Sequence, residues 1–448
     1  MRPDRRLNQA KDGPPSLLRA TPLQIHQKPT AAQEMAAPHA EVYFRRSTDV
    51  PLTSFWMGGF DGADHINSSG VALSMTELTQ HDSHVDDDYR RLADFEIRTV
   101  RESASWRIIE RNGRYDFSSL QTRVTGAKRL GMQTLWTLLS SGWPAGIDPL
   151  SARFVDRFAR YAKAVAEFLA DYAHGVPIYT PINEISFISW AIGHSGHINA
   201  GNDYLKHRKG ELRRQFVRAA LAACDAIRAV DPRARFMHTD PLMHVVPPRR
   251  HRDLASLAAY LDEEQYCAWD MLCGKREPEL GGDPAYMDVV GVNYYQTNQW
   301  ELGTGQVLDW RLDDPRREPL ATMLERVYQR YRRPLIIAET SHVGIGRGPW
   351  IREVTDEVAT ARQRGTPVHG ICLYPVIDRP DWENLTHWHH SGLWDIEVAR
   401  DGSCERRLNE SYALALRDAQ RTLNDDHLSR LSSPPRVIRP ASPIRQLN

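Results

Sequence analysis

Pro177-Ile-Tyr-Thr-Pro-Ile-Asn-Glu184 and Pro334-Leu-Ile-Ile-Ala-Glu339 are two short apolar runs, far apart in the chain, and each ends in a glutamate. Runs of this length and character read as buried strands. A carboxylate at the C-terminal end of a buried strand is where a (β/α)8 barrel carries its reactive groups. Two such carboxylates facing one gap suit the cleavage of a glycosidic bond. One would serve as proton donor and the other as nucleophile or base.

Six further apolar runs complete the pattern: 55–60, 97–100, 132–138, 235–239, 289–295 and 370–374. Amphipathic stretches lie between most of them. In 152–175, Phe154, Phe158, Tyr161, Val165, Phe168 and Tyr172 recur at three- and four-residue steps, and in 208–230 Leu212, Phe216, Ala220, Ala223 and Ile227 do the same. Those are helix periods with one apolar face. Eight strands alternating with helices predict a single TIM (β/α)8 barrel. The rival, an open doubly wound sheet, usually carries a Gly-rich phosphate loop after its first strand. Here Gly58-Gly59-Phe60-Asp61-Gly62 lacks the required spacing.

The patterned region spans 51–423. Residues 1–50 and 424–448 have tail-like composition and are expected to be disordered. At 448 residues, 41% of them hydrophobic, the chain can bury a large core within one barrel domain. Lys+Arg and Asp+Glu both number 57, and this zero net charge argues against a polyanion-binding surface, a nucleic-acid partner included, and against an acidic disordered protein. The five cysteines include no C-x-x-C pair, and free thiols in a cytoplasmic protein are expected. The basic N-terminus lacks the apolar core of a signal peptide, and no stretch has the length of a membrane span. Nothing in the sequence speaks to oligomeric state.

The predicted strand ends carry a mixed polar and aromatic set: Asp61, Asp64 and His65, Arg101 and Glu102, Ser140, Ser141 and Trp143, Asn183 and Glu184, Asp240, Asn293 and Tyr295, Glu339, then Tyr374, Asp378, Asp381 and Trp382. Hydroxyl-rich ligands want such hydrogen-bonding groups, and sugar C–H faces want flat rings. A carbohydrate or glycoside substrate is the expectation.

Several segments together resemble family 1 glycoside hydrolases, of the clan A retaining glycosidases. Val100-Arg101-Glu-Ser-Ala-Ser-Trp106 resembles Y-R-F-S-I-S-W. Asn183-Glu184-Ile185 resembles the acid/base motif N-E-P. Gly291-Val-Asn293-Tyr294-Tyr295 resembles G-L-N-Y-Y, and Ile337-Ala-Glu339-Thr340 resembles the nucleophile motif I-T-E-N. The segments 55–67, 137–144 and 374–382 resemble three more family motifs in the right order. The resemblance covers about residues 52–400 and implies a β-glucosidase-like, cofactor-free enzyme acting by double displacement. Glu184 would be the acid/base and Glu339 the nucleophile, with carboxyls about 5–5.5 Å apart. Arg101 and Tyr295 would support Glu339, Asn183 would hold the sugar 2-hydroxyl, and Asn293 would help orient the leaving group. His65, Asp381 and Trp382 would contact the sugar.

The departures fall on the sugar-reading positions. The family's His and Trp after the third strand become Ser140 and Ser141, its Gln becomes His65, its Glu becomes Asp381, and its eighth-strand Trp becomes Tyr374. This implies a substrate other than an ordinary β-glucoside. Three alternatives stay open: transglycosylation on the same residues, a non-catalytic sugar-binding protein, and a metal-dependent barrel hydrolase. The last would draw on His81 and His84, His194 and His197, or His387, His389 and His390. These lie mostly in loops beyond the strands and show no H-x-H at the first strand, so no metal is expected.

Overall fold

The computed structural model describes residues 50–432, apart from 61, 173, 174 and 313. Eight parallel strands close into a barrel in sequential order. They are β1 (Trp56–Gly59), β2 (Thr99–Ser103), β3 (Gln133–Leu139), β4 (Ile178–Ile182), β5 (Arg235–Pro241), β6 (Val289–Asn293), β7 (Leu335–Thr340) and β8 (Val368–Leu373). The main helices are α1 (His81–Ala93), α2 (Ser118–Leu130), α3 (Ala152–Ala170), α4 (Lys209–Val230), α5 (Ala255–Glu264), α6 (Leu320–Tyr331), α7 (Arg347–Gln363) and α8 (Glu410–Ser432). All eight predicted apolar runs are barrel strands, and the fold is the predicted TIM barrel.

Strand periodicity divides the core in two. Met57, Leu135, Ile178, Met237, Val289, Ile336, Ala338 and Cys372 fill the barrel centre. Their neighbours Val100, Val290, Val292, Leu335 and Ile337 face outward and pack with the helices. Successive side chains on a strand point to opposite faces, so one strand serves both layers. The helices bury one face each. In α3 these are Phe154, Phe158, Tyr161, Ala162 and Val165, and the Ser151 hydroxyl caps the helix by accepting from the Phe154 N–H. Each buried Phe or Val among them contributes about 1.5–3 kcal/mol by leaving water. This helix closes at Ala170, short of the expected 175.

The final helix runs to Ser432, so the expected domain end at 423 falls inside it. The expected tails lie outside the described residues from 1 to 49 and from 433 to 448. All five cysteines are buried and free. Among the described residues no helix is long and apolar enough to cross a membrane.

Candidate active site

The C-terminal rim of the barrel gathers the two glutamates from opposite parts of the sequence. β4 runs straight into a helix (Ile185–Trp190), and Glu184 is the turn between them, with φ 50° and ψ 57°. Its N–H donates to the Thr239 carbonyl at 3.0 Å, tying it to β5. Glu339 lies near the end of β7. The register of β7 slips after Ile337 against both neighbouring strands. That irregularity breaks the alternation set by Ile336 and Ala338 and turns Glu339 into the cleft.

Arg101 of β2 joins the pieces. It donates to Glu339 Oε1 at 2.6 Å and to Asn183 Oδ1 at 2.6 Å, and its guanidinium lies 5.6 Å from the Tyr374 ring centre. Tyr295 donates to Glu339 Oε2 at 2.8 Å, so both nucleophile-candidate oxygens are held. Asn293 Nδ2 donates to Glu184 Oε1 at 2.9 Å. Arg101, Asn183, Asn293 and Glu339 are buried. Glu184 is partly exposed as a whole, but its carboxyl is surrounded by protein. Burial, then the Glu339 charge, push its pKa well above the usual carboxylate range, against the lowering hydrogen bond from Asn293. One carboxyl held neutral beside one held in an ion pair is the division of labour that acid-assisted displacement uses.

The other predicted residues divide. His65 hydrogen-bonds Ser141 at 2.9 Å and meets the Trp382 ring edge-on, with centroids 4.7 Å apart. The Trp382 indole N–H is buried with no partner among the described residues, a donor left for a ligand. Asp381 instead turns into its own loop. One oxygen accepts the N–H groups of Glu383 and Asn384, and the other pairs with His389 at 3.2 Å.

Three residues expected in the cleft face elsewhere. Glu102, one step after Arg101, alternates outward to His81, Tyr89 and Arg123. Asp240 accepts the Ser186 N–H beneath the short helix after Glu184, and burial lifts its pKa to about 7. Asp378 is consumed by the N–H groups of His390 and Ser391.

Asp378, His390 and Asp395 do lie close enough together to suggest a metal site. The Arg347 guanidinium already holds Asp395, at 2.7 Å and 3.3 Å, and supplies the positive charge there. Of the other histidine candidates, His81 is locked between Asp88 and Glu102 at 2.9 Å and 3.0 Å. His194 and His197 lie tilted against the Trp190 ring, with centroids 6.2 Å and 5.8 Å away.

Sequence reading missed Thr239, which donates to Asn183 Oδ1 at 2.7 Å. It also missed Phe187 and Trp190, which extend an aromatic wall from Trp382. Their position just after Glu184 on a short helix was the available signal.

Fold and site geometry together define a (β/α)8 barrel with a glutamate pair on its C-terminal rim, the architecture of barrel glycosidases. No family model matches the chain, and no curated protein matches it. It is similar in structure to a family 1 β-glucosidase from Thermotoga maritima, at 15% identity, TM-score 0.64, over 83% of this chain and 98% of that one. It is similar also to the β-glucosidase from Thermotoga maritima in complex with glucoimidazole, at 15% identity, TM-score 0.65, over 84% and 99%. A complex of that organism's β-glucosidase with deoxynojirimycin aligns at 14% identity and TM-score 0.63, over 84% and 99%. The likeness is one of fold, across nearly the full length of those proteins.

Proposed function

We propose that this protein is a divergent family 1-like glycoside hydrolase that cleaves a β-glycosidic bond with retention. The observation that carries the reading is the Arg101 bridge. One guanidinium binds Glu339 and Asn183, the residue before Glu184, and so sets both glutamates on one frame. In the first step Glu184 gives its proton to the glycosidic oxygen while Glu339 attacks the anomeric carbon; the bond from that carbon to the glycosidic oxygen breaks, the aglycone leaves as an alcohol, and a glycosyl ester of Glu339 forms. In the second, Glu184 takes a proton from water, which attacks the same carbon and frees Glu339. Asn183 and Asn293 orient the sugar and the proton donor, and Trp382 with His65 forms the wall of the sugar site. Support also comes from the solved neighbours, β-glucosidases in complex with glucoimidazole and deoxynojirimycin.

The test is the mass of the intact protein after incubation with 2-deoxy-2-fluoro glycosyl fluorides of several sugar configurations. These reagents stall after the first step. An adduct equal to one fluoro-sugar, absent in Glu339→Gln, is the expected result, and the reacting configuration names the sugar. An adduct that persists in Glu339→Gln would sink the assignment. In turnover, Glu184→Gln should lose about 10²–10⁴-fold on substrates with poor leaving groups, the range that general acid catalysis supplies.

A further inference from the structure

A groove beside the barrel mouth concentrates positive charge. It is a recess of about 780 Å³ between the segment after β2 and the start of α3. Its walls carry five arginines, Arg107, Arg111, Arg153, Arg157 and Arg160, against one carboxylate, Glu110. That carboxylate is already engaged: Arg157 donates to it at 2.8 Å and the Trp106 indole N–H at 2.6 Å. Arg107 donates to the carbonyl oxygens of Asp64 and Leu73, which position its guanidinium without cancelling the charge. Arg153 and Arg160 are exposed and make no ion pair among the described residues. Segments 1–49 and 433–448 each hold more basic than acidic residues, so neither offers a net negative counterpart.

The groove continues toward His65, the residue assigned above to the wall of the sugar site. A second recess, of about 390 Å³, shares Ile66, Arg107 and Trp143 with it and reaches His65 and Ser141. Tyr115 and Trp143 line the groove too, setting flat apolar rings among planar guanidinium forks. Sugar C–H faces pack on such rings, and a guanidinium fork pairs with two oxygens of one oxyanion. Both recesses have the size of a small-ligand site. We infer that the groove binds an acidic group, a carboxylate or sulfate, on a saccharide that extends past the sugar held at His65. This inference rests on the glycosidase reading above. A polynucleotide suits the arrangement less well, because the formal net charge of the chain is zero and the arginines cluster at one recess rather than along a face.

The test is binding to the full chain carrying Glu184→Gln, which slows turnover enough to read binding. Titration calorimetry at low salt would compare a neutral oligosaccharide, an oligouronate and a sulfated oligosaccharide of equal length, with inorganic sulfate and a short single-stranded DNA beside them. At least one acidic saccharide should bind about tenfold more tightly than the neutral one, and Arg153→Ala/Arg160→Ala and high salt should each remove that advantage. The two acidic arms separate carboxylate from sulfate. Equal affinity for neutral and acidic saccharides overturns the inference, as does inorganic sulfate or the DNA binding as tightly as the best saccharide. Acidic preference without covalent trapping at Glu339 would overturn the hydrolase reading and leave the groove. Trapping without acidic preference would do the reverse.

Discussion

Glu184 holds a left-handed backbone at φ 50°, a conformation that costs a residue with a side chain about 1–3 kcal/mol. Such strain persists where the surroundings over-determine it, and here β4, β5 and the following helix all clamp the turn. The side chain it aims is the one whose proton the proposed mechanism spends. That gives a pH prediction with a definite sign. A general acid works only while protonated, so kcat/KM falls as pH rises through its pKa. The Asn293 hydrogen bond favours the charged form of Glu184 and lowers that pKa. Asn293→Ala should therefore move the basic limb of the kcat/KM profile to higher pH, whatever it does to the maximum. A limb that moves down, or stays, would contradict the assignment. Both glutamates were legible in the sequence because each ends its own local apolar run. Thr239 was not, because it meets Asn183 only across two paired strands.

At the scale of single elements, β2 shows how alternation assigns opposite roles to neighbours. Arg101 points into the cleft, while Glu102 enters a buried ion network under α1 and α2. His81 there bridges Asp88 and Glu102, Arg406 pairs with Asp88 at 2.9 Å, and Arg123 meets Glu102 at 3.1 Å. Burial alone would lower the His81 pKa, but the two carboxylates outweigh it and push it up to about 9. His81 thus contributes stability that is full below its unfolded value of about 6.5 and is lost as pH rises through about 9. Urea midpoints should fall between about pH 6 and about pH 10, and His81→Asn should flatten that fall. It should also cost about 3–5 kcal/mol near neutral pH, since it leaves buried carboxylates short of a partner. An unchanged slope in the variant would place the pH dependence elsewhere. On α3, the spacing of Arg153, Arg157 and Arg160 puts them on one helix face, a pattern visible in the sequence. Only folding brings Arg107 and Arg111 opposite them.

For the whole molecule, the barrel centre is the shared floor of every site residue. Ile336 is fully buried there among side chains from the other strands. Ile336→Ala should lower unfolding free energy by about 2–5 kcal/mol, read as a denaturant midpoint shift at unchanged slope. A loss well under that range would mean that the strands collapse to fill the gap. The zero net charge was a sound statement about the chain as a sum, yet it concealed a groove where five guanidiniums face one carboxylate. What the sequence by itself determined was the succession of eight strands and their helices, and the two glutamates near the C-terminal ends of β4 and β7, because these depend on local periodicity. Tertiary structure alone decided which strand-end groups share the cleft. The β7 irregularity turned Glu339 inward, alternation took Glu102 and Asp240 out, and loop hydrogen bonds withdrew Asp381. Side-chain direction at the barrel rim depends on register and on partners distant in sequence, and neither is written in any local stretch of residues.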